Sequence, residues 1–414
     1  MTNNSRLVTL LCLFTLVLEG YDIMMYGTVV PSLLSYQPWE LTAADVGWLG
    51  SILAVGMLVG ALLAAALNLG DRLGRRRTLL TAVTLFSVAM GVCAITTNYE
   101  MFAVARFAVG IGTGFLMPTA AAAIVEFAPA QWRNRAVGLG FAGTCVGGML
   151  AGLLSLWLIP TLGFRVMFWA GAVPALLLVP VLWALFPRTP TDAADSAPSV
   201  GEAAGTLPRV GPREMFRATG IRTTLSFWTL MAICLLLVFG VATWLPRLMG
   251  GAGYTVAAAL AFLLVLNLGG LIGTLAGGWL ADRFGVQTIV AAGFLAAGVA
   301  LFILILKPPS AVAYLLVLVA GAGTLGTQIM LNAYVAANYP AACRSAGVGL
   351  ALGVGRLGAI AGPSFGGLII STGAGYGWQL AGFAIPAILA AALTVTIDRR
   401  RPEPATATEV RAHA

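Results

Sequence analysis

Charge is what this sequence has least of: only 9% of its 414 residues are Asp, Glu, Lys or Arg, against about 25% in a soluble domain. So little charge cannot build a water-facing surface, which excludes an ordinary soluble protein. Histidine is nearly missing. The single example, His413, lies in the C-terminal tail, so no buried imidazole is present to carry protons, and there is no Ser/His/Asp set, metal-binding cluster or phosphate-binding loop. An enzyme, a metal site and a bound cofactor are therefore not expected. The five cysteines, Cys12, Cys93, Cys145, Cys234 and Cys343, show no paired spacing. Four sit in apolar runs and Cys343 in a short loop, which reads as inert small residues and not as a disulfide framework.

Long apolar runs fill the space that charge leaves. With no water at membrane depth the backbone must satisfy itself in helices or a closed barrel, and unbroken runs lack the alternation of barrel strands. Roughly twelve runs of about 18–27 residues are each long enough to span. The first six lie near 7–34, 45–69, 78–97, 101–126, 136–159 and 166–186; the next six lie near 224–246, 255–280, 288–306, 311–337, 346–371 and 378–397. Met1 to Arg6 is a short polar start before a run too long for a signal peptide, so the first run reads as a retained helix. Residues 187–223 are rich in Pro, Ala, Asp, Glu, Arg and Ser and read as a cytoplasmic linker. The chain therefore divides into a six-helix bundle at 1–186, the linker, a second six-helix bundle at 224–397 and a tail at 398–414.

Basic residues set the orientation. With both termini inside, 18 of the 23 Lys and Arg residues fall on the cytoplasmic side and only Arg165, Arg247 and Lys307 outside, with Arg106 and Arg356 left within spans. This positive-inside bias predicts a multi-pass protein of the cell's inner membrane with both ends cytoplasmic. The net charge of +8 then belongs against an anionic leaflet and calls for no nucleic acid.

The first run carries Leu18-Glu19-Gly20-Tyr21-Asp22. Glu19 and Asp22, three apart, share a helix face. A charge near the bilayer centre costs roughly 2.5–3.5 kcal/mol on insertion scales, so such groups face a cavity or a partner. With no buried histidine, these carboxylates are the candidate proton carriers. Arg106, in the fourth run, and Arg356, in the eleventh, stay charged and need a carboxylate, an anion, carbonyls or water. Each reads either as an anion receptor or as a structural partner of an acid, Glu19 or Asp22 in the case of Arg356, and Arg106 reads also as a group snorkelling to the outer face. Gln328 and Asn332 offer uncharged donors and acceptors at i and i+4. Glu126, near the cytoplasmic end of the fourth run, suits either a gating contact with Arg133 or Arg135 or a solvated helix end. Trp244-Leu245-Pro246 reads as an interfacial aromatic followed by a helix stop.

The halves repeat. Gly70-Asp71-Arg72-Leu73-Gly74-Arg75-Arg76-Arg77 follows the second run, and Gly278-Trp279-Leu280-Ala281-Asp282-Arg283-Phe284-Gly285 follows the eighth. Asp-Arg-x-Gly at the same place in both halves indicates parallel six-helix repeats. Here the chain resembles the major facilitator superfamily, whose loop motif is Gly-x-x-x-Asp-Arg-x-Gly with trailing basic residues. The first copy has Leu67 in place of the leading glycine; the second keeps the glycine and lacks the arginines. The resemblance implies a cytoplasmic gate built on Asp71, Arg72, Gly74 and Arg75, with Asp282 and Arg283 in the second half. It also implies that Asp71 accepts from the start of the eleventh helix.

The first-span acid-Gly-Tyr-Asp, Arg106 with its glycines and Met117-Pro118, Glu126-Phe127-Ala128-Pro129, Trp244-Leu245-Pro246, Gln328 with Asn332, and Gly353-Val354-Gly355-Arg356 resemble one branch, the aromatic acid:proton symporters. Glu19 stands where that branch usually has Asp. The resemblance implies a monomeric transporter that imports a benzoate or hydroxybenzoate type of carboxylate with protons, driven by the proton gradient. Asp22 and Glu19 then couple protons, while Arg356, Arg106, Tyr21, Gln328 and Asn332 bind substrate. Another organic anion as substrate, or drug:proton antiport, is the alternative; Gly138 to Gly152 has no proline, whereas exporters resemble one another in a Gly-Pro-x-x-Gly-Gly element there. A sensor is disfavoured because neither linker nor tail is long enough to fold a signalling domain.

Overall fold

The computed structural model describes residues 3–66, 74–129, 133–187, 219–340 and 344–397. These hold twelve helices long and apolar enough to cross a membrane. In the first half they are α1 (Asn3–Leu34), α2 (Ala43–Ala66), α3 (Gly74–Ile95), α4 (Tyr99–Phe127), α5 (Arg133–Leu162) and α6 (Arg165–Leu185). In the second they are α7 (Ile221–Gly251), α8 (Val256–Phe284), α9 (Val286–Leu304), α10 (Ser310–Asn338), α11 (Arg344–Ser371) and α12 (Tyr376–Val395). Most of the 187–223 linker, the 398–414 tail, Asp71, Arg72 and Cys343 lie outside the described residues, as do the side chains of Arg133 and Arg135.

Helix pairing repeats between the halves. α1 packs on α5 as α7 packs on α11, α2 on α4 as α8 on α10, and α3 on α6 as α9 on α12. Lipid supplies no hydrophobic drive between helices, so close contact through small residues does the work. Gly56, Gly60, Gly110 and Gly114 put the α2 and α4 backbones against each other; Gly269, Gly273, Gly321 and Gly326 do so for α8 and α10. A Cβ on Gly147 would run into the Val17 carbonyl of α1, whereas Gly138 on the same helix faces open space. Gly147→Val is therefore expected to lower stability by about 1–3 kcal/mol, seen as a drop in melting temperature in detergent that Gly138→Val does not show.

The glycines that end the two Asp-Arg-x-Gly copies match in backbone. Gly74 and Gly285 begin the helices that follow, with φ of 80° and 86°, the left-handed region that glycine enters without a Cβ penalty. Outside the packed seams, Leu10, Phe14, Val104, Trp157, Leu176, Leu275 and Trp378 are exposed. A solvated protein rarely shows so continuous an apolar surface, and here it is the perimeter that meets lipid.

The stretch Trp244-Leu245-Pro246 departs from expectation. α7 runs through Pro246 to Gly251, because neighbouring helices make a proline tolerable inside a membrane helix. The carbonyl of Ala242, which Pro246 has no N–H to serve, lies against Gly27 of α1. Trp244 is not interfacial. It is fully buried, and its Nε1 donates to the Pro363 carbonyl of α11 at 2.8 Å.

The halves meet along α1 and α7, α2 and α11, and α5 and α8. The closest contacts cluster toward the side where α1 ends and α2 begins: Gly47 and Gly50 on Pro363, Gly27 on Ala242, and Gly152 on Leu264. Ser51 crosses this seam. Its Oγ donates to the Ile360 carbonyl at 2.5 Å, lies 2.7 Å from Ser364 Oγ and accepts from Ser364 N at 3.2 Å. These are the hydrogen bonds between the halves among the described residues, and they close that side of the protein.

Candidate functional site

Behind the closed side, between the halves, lies a cavity of about 330 Å³. Met24 on α1, Met57 on α2, Met117 on α4 and Leu235 on α7 make its wall apolar, and Phe141 on α5 and Phe239 on α7 supply aromatic faces. Among the described residues one charged side chain lines it, Arg356 of α11. Gly355 and Gly358, on either side, lie tight against Met231 and Ala232 of α7 and fix where the guanidinium emerges. Gln328 lines the cavity as well, two residues past a π turn at Ala322–Gly326 in α10. Such turns interrupt regular helix and are frequent at functional sites. A concave, largely apolar pocket with a few convergent polar groups is the usual form of a small-molecule site.

The acids of α1 sit next to this cavity but do not open into it. Gly20, Ile23 and Met24 form the lining there, while Glu19 and Asp22 are fully buried beside them. Asp22 accepts from Arg106 Nη1 through Oδ1 at 2.7 Å. The guanidinium also lies over the Tyr26 ring at 4.7 Å, a cation–π contact, and Tyr26 Oη donates to the Val46 carbonyl at 2.7 Å. The pair thus ties α1, α2 and α4 together. It is only half satisfied, since Asp22 Oδ2 and Arg106 Nε and Nη2 find no protein partner. Glu19 has neither oxygen hydrogen-bonded to the protein, and it attracts Arg356 across the cavity wall without an ion pair closer than 4 Å.

Several expected roles are placed differently. Arg106, read as a possible anion receptor, is 0% exposed and engaged with Asp22, not with the cavity. Tyr21 points the other way, its Oη donating to the Met167 carbonyl of α6 at 2.8 Å. Asn332, one turn beyond Gln328, falls outside the lining, and its Oδ1 is buried without a partner. Arg356 is in no ion pair with Glu19 or Asp22. Glu126 pairs with Arg75 of α3 at 3.6 Å, a partner the sequence reading had not named. Asp282 and Arg283 are exposed, Arg283 stacked near Trp279 and Phe284, and no neighbour comes within 4 Å of the Cβ position at Gly278. Cys12, Cys93, Cys145 and Cys234 are free and buried. Phe141, Phe239, Thr144 and Asn267 were missed. Asn267, the one asparagine in the eighth run, was the only one of these with a visible signal.

The family model described as Major Facilitator Superfamily matches residues 12–363 and, in a second match, 268–413. The benzoate transport protein of Acinetobacter baylyi is 31% identical over 427 residues, covering 96% of this chain and 91% of that one. The gentisate transporter of Corynebacterium glutamicum is 35% identical over 394 residues, covering 93% of this chain and 86% of that one. An inward-open structure of the xylose transporter XylE from Escherichia coli superposes with a TM-score of 0.78 at 20% identity, covering 98% and 99% of the two chains. The twelve-helix fold and these relatives show that the chain is a transporter and not an enzyme, and that it belongs to the Major Facilitator Superfamily, beside that superfamily's aromatic acid transporters.

Proposed function

We propose that this protein imports an aromatic carboxylate of the benzoate or hydroxybenzoate class together with protons, by alternating access. In this reading it works as a monomer in the inner membrane with both termini cytoplasmic. The observation that carries this is Arg356, the one charge among the described residues on the wall of a largely apolar cavity sealed on one side. The names of the benzoate and gentisate relatives support the substrate class. By the positive-inside bias, the sealed side faces out and the cavity faces the cytoplasm.

Arg356 receives the carboxylate through the two parallel N–H bonds of a guanidinium fork. Phe141 and Phe239 give the ring flat apolar faces, and Gln328 adds a donor and an acceptor. Glu19 couples the proton to this event. While ionised it holds part of the attraction of Arg356, and an ionised carboxylate buried without hydrogen bonds is costly; a proton on Glu19 removes that charge and leaves Arg356 to the substrate. Asp22 is the second proton site. Protonation there cancels its attraction for Arg106 and loosens the tie between α1, α2 and α4. With Glu19 protonated and the substrate carboxylate paired with Arg356, the two charges at the cavity are neutralised before the halves rock around it. The Arg75–Glu126 pair, with Asp71, Arg72, Gly74, Arg133, Arg135, Asp282 and Arg283, forms the cytoplasmic gate. The energy source is the proton gradient, and no cofactor takes part.

The test is uptake of labelled benzoate, 4-hydroxybenzoate and gentisate into proteoliposomes under an inward proton gradient. Accumulation of at least one above equilibrium, abolished by a protonophore, is expected. Failure to accumulate any of them, or accumulation indifferent to the protonophore, sinks the reading.

A further inference from the structure

Resting on the cavity as an aromatic carboxylate site, we propose that it takes fused two-ring carboxylates of the naphthoate class and holds them more tightly than single-ring ones. The first observation is room. The cavity measures about 330 Å³, whereas an apolar cavity of about 150 Å³ is enough to hold a benzene ring. One ring and its carboxylate therefore leave about a ring's worth of space unfilled. The second observation is what borders that space: Met24, Met57, Met117 and Leu235 make up much of the wall, and Phe141 and Phe239 add two flat faces.

The two halves contribute different chemistry. Arg356 and Gln328 stand on α11 and α10 of the second half, and Met24, Met57 and Met117 on α1, α2 and α4 of the first. A ligand anchored by its carboxylate on Arg356 thus has three thioether chains on the opposite half for its ring system to meet. Methionine is unbranched and its sulfur polarisable, so it repacks around ligands of different outline and makes favourable contacts with aromatic rings. Branched side chains in those places would set a fixed edge. Once the carboxylate is on Arg356, water left beside the ring meets mainly methionine and leucine carbon, short of the roughly two to four polar partners that hold an enclosed water. A second ring displaces such loosely held water and gains affinity by doing so.

The experiment measures binding of benzoate and 2-naphthoate, and displacement of one by the other, on the purified full-length protein by calorimetry, for wild type, Met117→Trp and Arg356→Gln. In wild type 2-naphthoate is expected to bind at least about tenfold tighter than benzoate, since a single extra methylene in an apolar pocket is already worth about tenfold, and to compete with benzoate for one site. Met117 is partly exposed on the cavity wall, so the indole of Met117→Trp takes up the spare room. In that variant the advantage of 2-naphthoate over benzoate is expected to vanish or reverse. Arg356→Gln is expected to lose both ligands, which separates the cavity from uptake of naphthoate into detergent. A wild type that binds benzoate but holds 2-naphthoate no tighter overturns the inference, even if neither variant folds, and leaves the functional reading standing. So does 2-naphthoate that benzoate does not displace, or an advantage that Met117→Trp leaves unchanged. Should wild type bind neither ligand, the functional reading itself falls and takes this inference with it.

Discussion

Arg356→Gln is expected to abolish binding of aromatic carboxylates while leaving the protein folded. The guanidinium is the charged group on the cavity wall among the described residues and has no acid within 4 Å; its loss takes an attractive charge from the buried Glu19, which a bound proton replaces, so the fold is kept. Each hydrogen bond to a charged group contributes about 1.5–3 kcal/mol. Losing a two-bond fork therefore weakens Kd by at least about a hundredfold. Arg356→Lys keeps the charge and loses the fork, and it should fall between the two. Calorimetry with the best-bound ligand reads both variants, and melting temperature reads their folding. Binding by Arg356→Gln within a few-fold of wild type would remove Arg356 as the receptor.

Asp22→Asn is expected to abolish proton-driven accumulation. The variant loses a titratable group and also leaves Arg106 as an uncompensated charge in a fully buried position. Breaking a buried pair this way costs about 3–5 kcal/mol, so part of the effect will be on stability. Two further readouts separate coupling from folding. Counterflow exchange of labelled for unlabelled substrate needs no net proton movement and should survive in Asp22→Asn. Asp22→Asn combined with Arg106→Gln removes the stranded charge and should regain melting temperature without regaining accumulation. Uptake by wild type should rise as external pH falls, and the variant's residual flux should not follow it. Near wild-type accumulation at an inward proton gradient would reject Asp22 as a coupling group.

The twelve helices were legible because hydrocarbon demands long runs without charge, and length alone then separates spans from loops. Their packing was legible in part: the glycines of α4 and α11 announced close contacts but not which helix would supply them. Pro246 misled, since in water it ends helices, whereas in a bundle the Ala242 carbonyl that it leaves unserved lies against a neighbouring helix. Arg106 was open between two readings. A charge within a span must have a partner, but whether that partner is an acid or a solute is a tertiary fact, settled here by Asp22 at 2.7 Å. Gln328 and Asn332 do share a helix face, yet four residues advance the helix by about 6 Å, enough to carry Asn332 past the end of the cavity. Phe141 and Phe239 gave no signal because lipid and core both accept apolar residues, so the helix pattern does not say which face is which.

The Ser51 hydroxyl occupies a place in α11 that the helix can fill by itself. It accepts from Ser364 N and donates to the Ile360 carbonyl, and in an unbroken helix those same two α11 groups are i and i−4 partners of each other. Ser51 in turn has the carbonyl four residues back, that of Gly47, within the habitual reach of a helical serine. If the two helices part, each polar group has a replacement already beside it, so separation is an exchange of partners with nothing left bare in the membrane. A seam held by apolar burial alone resists opening in proportion to its area; one held by interchangeable bonds can shut firmly and still release within a transport cycle.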